Sequence, residues 1–537
     1  MSNKKNSFIQ HAFILAIAGL LVRLIGFLYR LPLTNLIGDQ GNAIYSYGYY
    51  LYMLFLIMSS AGLPVAISKL VSERIALKQY KSAHQVFCVA MALAAFSGLI
   101  GSLILFFGAK SMAESLGSPE SYHAILTLSP TVFLVAIMAV FRGYFQGMNN
   151  SVPTAISQII EQIFNAVFSV YLAYIFLSQG IPFAAAGGTA GTGIGAFAGL
   201  LFLIAIYYIL KPRISRLIRS DKTKNSEPEL QTAIKILKIA FPIIAGTAIF
   251  SITNLIDMYM VNDRLLQSAA FSAVAIDELY GQLTGKYVVL TTLPVSISTA
   301  MAIAIIPTIS ATLAIGDIRE VNNKISIAIK LTMMLAIPAS FGIGVLADQI
   351  LLLLFPYYPA GGDLLRAGAI SIIFLSLYQI VTGILQGSGY VYVPVVAAFF
   401  GATLKIPINH FLIAMPNINI IGAIISTTVC YMVASSICLG FLTFKMKAPI
   451  NIRSAFFKPL FSSIFMAFGC YVSYYCFWYI YPNNSLATLT AIIISIIVYI
   501  CFMSNIGGIT PAEIRMMPFG KKIYSKLDSA GLINRES

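Results

Sequence analysis

The chain has 537 residues, of which 58% are apolar and only 10% are charged, whereas soluble domains carry about 25% charged residues. Its net charge of +15 comes from basic residues that lie between apolar runs and not in aromatic-interleaved patches on a soluble domain. These properties exclude an ordinary soluble protein and argue against a nucleic-acid partner. They predict an all-α polytopic membrane protein, since the weak ten-residue alternation of an outer-membrane barrel is absent.

The apolar runs predict about fourteen transmembrane helices. Each run is about 20 to 27 residues long, which is enough for a helix to cross about 30 Å of hydrocarbon. The first run follows a basic start but lacks a small-residue cleavage site, so we expect it to remain as the first span. The spans are predicted near residues 9–37, 43–69, 83–109, 122–147, 152–179, 185–210, 236–261, 281–309, 324–347, 364–388, 391–415, 418–444, 456–482 and 484–504.

Basic residues concentrate in alternate loops of this pattern. They follow the second, sixth, eighth, twelfth and fourteenth spans, whereas the other loops hold little beyond Lys110, Arg264 and Arg366. Because Lys and Arg collect in cytoplasmic loops, we expect both termini to lie in the cytoplasm.

The polar stretch from Lys211 to Gln231 separates six spans from the next six. It predicts an N-lobe (residues 1–210), a cytoplasmic basic linker (211–235) and a C-lobe (236–445). Residues 446–537 then hold two extra C-terminal helices and a cytoplasmic tail, which is basic enough to lie on the anionic inner leaflet.

A short motif occurs twice. "FRGYFQGMNNSVP" begins at Phe141 and "VTGILQGSGYVYVP" begins at Val381, with the Gly-x-x-Gln-Gly residues 240 positions apart. The recurrence predicts an internal repeat, and because each half holds an even number of spans, the two lobes should be related by a pseudo-two-fold axis along the membrane normal. We expect Gly147 and Gly387 to end helices in left-handed conformations, and Pro153 and Pro394 to begin the next helices.

Sequence signatures of catalysis are missing. The Gly-Lys pair in "YGQLTGKYV" (280–288) lacks the spacing of a phosphate-binding loop, the four His are scattered, and the six Cys all lie in apolar segments. Short outside loops also argue against a polymerase or glycosyltransferase. We therefore expect a transporter with no metal and no cofactor.

Charged residues inside the spans are the best candidates for a binding site, because a charge at mid-bilayer costs about 2.5 to 3.5 kcal/mol. Arg23 and Arg30 are seven residues apart, which places both on one helix face, about 10 Å apart along the axis. Gly26 between them is expected to bend the helix. Forked guanidinium donors favour a phosphate. The alternative is that both arginines pair with Glu161 or Asp257.

Two lysines add positive charge from the second half. Lys405 lies inside span eleven and Lys286 near the outer end of span eight, where it could instead extend its ammonium to the interface. Arg142 is predicted to be structural, either reaching the interface or pairing with Glu161.

Asp257 is the acid well inside span seven, and Asn254 lies three residues before it. This predicts a site for a coupling cation, with a partner for a lysine or arginine as the alternative. The five tyrosines of "YSYGYYLYM" (45–53) favour an interfacial belt, with stacking on a sugar as the alternative.

These features resemble the multidrug, oligosaccharidyl-lipid and polysaccharide exporter superfamily. The resemblance rests on R-x-x-G-F-x-x-R (Arg23 to Arg30), on the run from Phe141 to Gln162 and on twelve repeat-forming spans plus two. Within the superfamily, the chain is similar to the branch that holds the MurJ-type lipid II flippases and the stage V sporulation protein B group.

The resemblance implies two six-helix lobes around a central cavity, with a groove at the last two spans for a polyprenyl tail. It implies an undecaprenyl-pyrophosphate-linked sugar as substrate and a coupling cation, Na⁺ or H⁺, with the membrane potential. Arg23, Arg30 and Lys286 match positions where the family carries cations, and Asp257 matches an acid assigned to sodium. The family's arginine in the second span has no counterpart here.

The predicted function is therefore a non-enzymatic flippase for lipid II, which serves peptidoglycan and cell wall synthesis. We expect it to act by alternating access, as a monomer among the lipids of a bacterial cell membrane. Alternatives are a flippase for another lipid-linked polysaccharide unit, a cation-coupled multidrug exporter on the same fold, or a non-transporting membrane scaffold.

Overall fold

The computed structural model describes residues 2–221, 227–268 and 271–508, and these residues form helices and short connections without a strand. Short 3₁₀ or π turns lie at Pro119–Ser121, Leu177–Gln179, Leu283–Tyr287 and Arg453–Phe457. The helices are α1 (Ser2–Ser60), α2 (Leu63–Ala76), α3 (Tyr80–Ser115), α4 (Tyr122–Gly147), α5 (Val152–Phe176), α6 (Ile181–Ser220), α7 (Glu229–Gln267), α8 (Ala273–Gln282), α9 (Val288–Ile315), α10 (Ile318–Val345), α11 (Ala347–Leu354), α12 (Gly362–Gly368), α13 (Ser371–Gly387), α14 (Tyr392–Leu412), α15 (Ile421–Phe444), α16 (Lys458–Ile480) and α17 (Asn484–Asn505).

The predicted all-α membrane fold is confirmed. Among the described residues, 12 helices are long and apolar enough to cross a membrane, or 13 if α12 and α13, which meet at 45°, form one span. The predicted number of about fourteen is approximate. The main difference is α1, whose 59 residues would extend about 90 Å as one straight helix, far more than one bilayer crossing.

Gly38 divides α1 into two arms. Its backbone (φ 68°, ψ −171°) leaves helical geometry and lies in a region that only glycine adopts readily. The first predicted span therefore ends at Gly38 and the second begins directly after it. Gly26 keeps helical geometry, and its Cα faces the side chain of Gln162 in α5.

We expect Gly38→Ala to lower the free energy of unfolding by about 2 kcal/mol, because a Cβ is strained in this conformation. Thermal unfolding of the purified protein in detergent measures the change. Gly19→Ala is the matched control, since a Cβ at residue 19 meets nothing within 4 Å and alanine favours a helix. An equal midpoint for the two variants would contradict the assignment of strain to Gly38.

The prediction that Gly147 and Gly387 are left-handed is wrong. Both are the last helical residues of α4 and α13, and the left-handed residues follow two positions later, at Asn149 (φ 55°) and Gly389 (φ 88°). Each helix ends with the same pair of backbone hydrogen bonds. In α4 the amide of Asn149 donates to the carbonyl oxygen of Gln146 and that of Asn150 to Phe145, and in α13 the residues 240 positions later form the same two bonds. This is the Schellman ending, in which the left-handed residue lies beyond the cap.

The motif glycines serve close helix packing instead. A Cβ on Gly147 would lie 2.7 Å from Cβ of Val71 in α2, and one on Gly387 would lie 2.8 Å from the carbonyl oxygen of Ile306 in α9. The same pairing of helices therefore recurs in the two copies, α4 on α2 and α13 on α9. Pro153 lies in the first turn of α5, as predicted, and Pro394 is the third residue of α14.

The predicted polar linker is largely helical. α6 continues through Lys211 to Ser220, and α7 begins at Glu229. Only the middle of the predicted linker lies outside the described residues, as does the predicted basic tail from residue 509 onward.

Contacts between helices divide the chain into two compact units. Unit 1 contains Met1–Gly285 and Ile406–Ala423, and unit 2 contains Lys286–Lys405 and Ile424–Ser537. In unit 1, α5 packs closely on α6, where Gly191 faces the backbone of Ser169. In unit 2, α16 and α17 pack together and on α10, and the hydroxyl of Tyr499 donates to the carbonyl oxygen of Met334 at 2.9 Å. The predicted lobe boundaries stay a prediction.

Candidate functional site

A tyrosine cage surrounds Arg30 in unit 1. The guanidinium carbon of Arg30 lies 4.2 Å from the ring centroid of Tyr45, 5.7 Å from that of Tyr49 and 5.9 Å from that of Tyr29. In a straight helix Arg30 and Tyr45 would be separated by about 22 Å along the axis. The break at Gly38 therefore brings them together, because it turns the second arm of α1 back toward the first.

The charge of Arg30 is stabilised by aromatic faces and not by a carboxylate. Within the described residues, no Asp or Glu oxygen lies within 4.0 Å of its guanidinium. The two carboxylates proposed as partners are otherwise engaged, Glu161 with Arg142 and Asp257 with Asn409. The hydroxyl of Tyr29 accepts one hydrogen bond from the guanidinium. Ring faces attract a cation without accepting its N–H groups in plane, so the remaining donors stay available to another acceptor. The alternative of neutralisation by these two acids is thus wrong for Arg30.

The tyrosines of the second arm do not form an interfacial belt. Tyr45 and Tyr47 are fully buried and Tyr52 is 4% exposed. Tyr47 donates a hydrogen bond to Asp277 at 2.9 Å, accepts one from Asn262 at 2.9 Å and stacks on Tyr280. These polar contacts keep the hydroxyl inside unit 1, whereas a belt would place it at the membrane surface.

Arg23 lies on the same arm and the same helical face as Arg30, two turns before it, and it is exposed. Arg142 has a different environment, because its guanidinium lies between α4 and α5. It donates to Glu161 at 2.6 Å and to the hydroxyl of Ser157 at 3.1 Å. This arrangement joins two helices and leaves the structural role of Arg142 as the simplest interpretation.

Asp257 meets a residue that the sequence does not predict. Asn409 of α14, which is fully buried, donates its amide to the carboxylate of Asp257 at 2.8 Å. The amide oxygen of Asn409 has no hydrogen-bond partner among the described residues. A buried oxygen without a donor, next to a carboxylate, fits a small cation with oxygen ligands. Asn254 is exposed on α7, and the structure gives no contact between its side chain and this pair.

Three lysines are buried among the described residues of unit 2. Lys286 lies in the π turn before α9, is 1% exposed, and donates to the carbonyl oxygen of Ala360 at 2.8 Å. Its ammonium therefore does not extend to the interface. Lys405 is 2% exposed on α14, and Lys330, which the sequence does not predict, is 8% exposed on α10. Buried lysines are rare, and each implies a local polar environment.

No metal centre of the usual kind is present in the part of the chain that the structure describes. No group of three or more His, Cys, Asp or Glu side chains is arranged to hold a metal ion there. Cys430, Cys438 and Cys470 are buried.

Comparison with known proteins identifies the family. A family model described as polysaccharide biosynthesis protein matches residues 8–313, more than half of the chain, and one described as MatE matches residues 242–411. Lipid II flippase MurJ of Bacillus subtilis (strain 168) is 28% identical over 465 residues, covering 83% of this chain and 84% of that protein. Stage V sporulation protein B of the same organism is 28% identical over 422 residues, covering 78% and 80%.

Solved structures share the fold. A structure of lipid II flippase MurJ in an inward closed conformation has a TM-score of 0.67 at 18% identity, covering 92% of this chain and 98% of that chain. An inward-facing multidrug resistance MATE family transporter has a TM-score of 0.64 at 16% identity, covering 81% and 98%. The chain is thus a multi-pass bacterial membrane protein that belongs to the polysaccharide biosynthesis protein family, in the MurJ-like branch of the multidrug, oligosaccharidyl-lipid and polysaccharide exporter superfamily.

Proposed function

We propose that this protein is a flippase that moves an undecaprenyl-pyrophosphate-linked sugar, the peptidoglycan precursor lipid II, from the inner to the outer leaflet of the cell membrane. The observation that carries the proposal is the Arg30 cage, in which a cation inside a membrane protein is held by tyrosine rings without a carboxylate partner. The family match and the similarity to proteins named for lipid II flipping and sporulation support a lipid-linked substrate.

The cage suits a diphosphate for an electrostatic reason. A buried charge without an opposite charge is costly, so an unneutralised guanidinium is retained where a ligand supplies the missing charge. Arginine binds phosphate oxygens with two parallel N–H donors. Arg23 on the same arm is proposed to hold the same headgroup. Lys286 and Lys405 of unit 2 stay candidate substrate-binding residues on sequence grounds, and both are buried.

The coupling step is proposed to use Asp257. Its carboxylate and the unpartnered amide oxygen of Asn409 would hold a small cation, Na⁺ or H⁺. Asn254 stays a candidate for this site on sequence grounds alone. The side chains of Asp257 and Asn409 would supply oxygen ligands, and the cation would supply the positive charge that neutralises the carboxylate. One charge moving through 100 mV provides about 2.3 kcal/mol, so a few charges per cycle would suffice without ATP.

A second function, cation-coupled multidrug export, is favoured by the MatE match over residues 242–411. Capture of cationic drugs would call for acidic side chains, whereas Arg30, Lys286 and Lys405 are basic. The missing arginine of the second span also leaves another lipid-linked glycan as an alternative substrate. Drug-resistance assays distinguish export of drugs from flipping.

The decisive experiment is to deplete the protein and identify the undecaprenyl-linked species that accumulates on the inner leaflet. Accumulation of lipid II supports the proposal. Accumulation of another lipid-linked glycan would identify that glycan, and not lipid II, as the substrate. Purified protein in liposomes should then move the headgroup of the accumulated species across the bilayer. No movement in liposomes would reject a flippase and leave a scaffold role.

Tyr45 should position Arg30 for this task. We expect Tyr45→Phe to keep most of the flipping rate, because the ring face remains under the guanidinium, and Tyr45→Leu to lower the rate about ten-fold, because the face is removed. The measurement is the initial rate of headgroup movement in liposomes at equal protein content. Equal rates for the Phe and Leu variants would show that the hydrophobic bulk of Tyr45, and not its ring face, matters.

A further inference from the structure

The last ten residues of α6 form a basic helical segment, which we call the α6 extension (Lys211–Ser220). α6 has 40 residues and is about 60 Å long, about twice the hydrocarbon thickness. Its apolar part ends at Leu210, and the extension contains four cations and no acid. The extension therefore leaves the apolar layer and enters the interfacial region beside it.

The extension is amphipathic and fixed to unit 1 by one face. Ile214 is 7% exposed and belongs to the same buried cluster as Leu70 and Ile236, and Ile218 packs against that cluster. Successive helical residues are about 100° apart, so Arg213, Arg216 and Arg219 span an arc of about 120° centred opposite these isoleucines. All three arginines are exposed. The fold thus presents a stripe of three exposed arginines, about 9 Å long along the helix axis.

Acids near the extension are already engaged elsewhere. Glu227 binds Arg74 at 2.7 Å and Lys235 at 2.6 Å, and hydrogen bonds from Lys235 and Arg74 lower the pKa of its carboxyl. Asp221 accepts the backbone amide of Lys81 at 2.7 Å. None of the three arginines forms an ion pair with a described residue, and residues 222–226 contain no acid.

We infer that the stripe of Arg213, Arg216 and Arg219 binds the phosphodiester headgroups of anionic phospholipids. Lys and Arg that directly follow a transmembrane helix are attracted to anionic leaflets, and guanidinium groups bind phosphate oxygens in a forked geometry. A disordered linker would not fix the spacing of the three arginines, whereas the docked helix holds them in one row beside the bilayer. The site is separate from the proposed transport of lipid-linked sugar and does not depend on it.

The test compares lipids retained by the purified protein. Protein from vesicles of equal phosphatidylglycerol and phosphatidylcholine is analysed by native mass spectrometry. The variant Arg213→Gln/Arg216→Gln/Arg219→Gln should lose the preference for phosphatidylglycerol at least about five-fold, and high salt should weaken the wild-type preference. The matched control is Lys110→Gln/Lys238→Gln/Arg319→Gln, which removes the same charge from exposed positions that lie within helices outside the stripe and should keep the preference.

An Arg→Lys version of the triple variant keeps the charge and should keep at least part of the preference, which also checks that the extension folds. The inference is overturned if the Gln triple variant retains phosphatidylglycerol as the wild type does. It is also overturned if the scattered control loses as much as the stripe variant, since net charge alone would then explain the retention.

Discussion

Arg30→Ala is expected to lower the rate of headgroup flipping by at least about 100-fold, because two charge-assisted hydrogen bonds to a diphosphate contribute about 1.5 to 3 kcal/mol each. Arg30→Lys should keep part of the rate, since an ammonium keeps the charge but not the forked donors. The measurement is transport of a labelled lipid-linked substrate in liposomes, together with complementation of a strain depleted of its lipid II flippase.

The matched control for this prediction is Arg366→Ala. Arg366 is half exposed and pairs with Asp348 and Asp363 at the surface of unit 2, so its loss should change transport by less than about two-fold. Membrane insertion and yield of the Arg30 variants should match the wild type. Near-normal complementation by Arg30→Ala would remove Arg30 from the transport site, whatever the substrate proves to be.

The helical architecture was predictable from the sequence because bilayer thickness sets a length that apolar runs must match. Arg30 was predictable as a candidate because a charge in such a run is costly. Its cage was not, because the contact between Arg30 and Tyr45 depends on the backbone at Gly38. Nothing in the spacing of the two residues along one apparent apolar run indicates that the chain turns between them.

Asn409 was not predicted as a site residue because a neutral side chain gives no signal in an apolar run. Asn409 lies in an apolar run and carries no charge, so its importance appears only when its amide is seen on Asp257. The repeat shows the same limit in another form. The offset of 240 residues was correct, but which residue becomes left-handed depends on where the last helical hydrogen bond forms, and that bond places it at Asn149 and Gly389.

Glu161→Ala is expected to lower the free energy of unfolding by about 3 kcal/mol, because it leaves the guanidinium of Arg142 without its opposite charge. The two side chains are only 13% and 25% exposed, and their 2.6 Å contact joins α4 to α5. Ser157 remains as a partner at 3.1 Å, but a neutral hydroxyl compensates a buried charge poorly. Denaturant titration of the purified protein in detergent measures the loss.

The double variant Arg142→Met/Glu161→Leu tests whether Arg142 and Glu161 behave as a buried ion pair. Replacing both charges with apolar side chains of similar volume should recover most of the stability lost in Glu161→Ala, since desolvation of the two ions offsets much of their attraction. Glu320→Ala is the comparison, because Glu320 is 46% exposed beside Lys324 and its loss should cost less than about 1 kcal/mol. If the double variant were less stable than Glu161→Ala, Arg142 would have to contribute through contacts other than this ion pair.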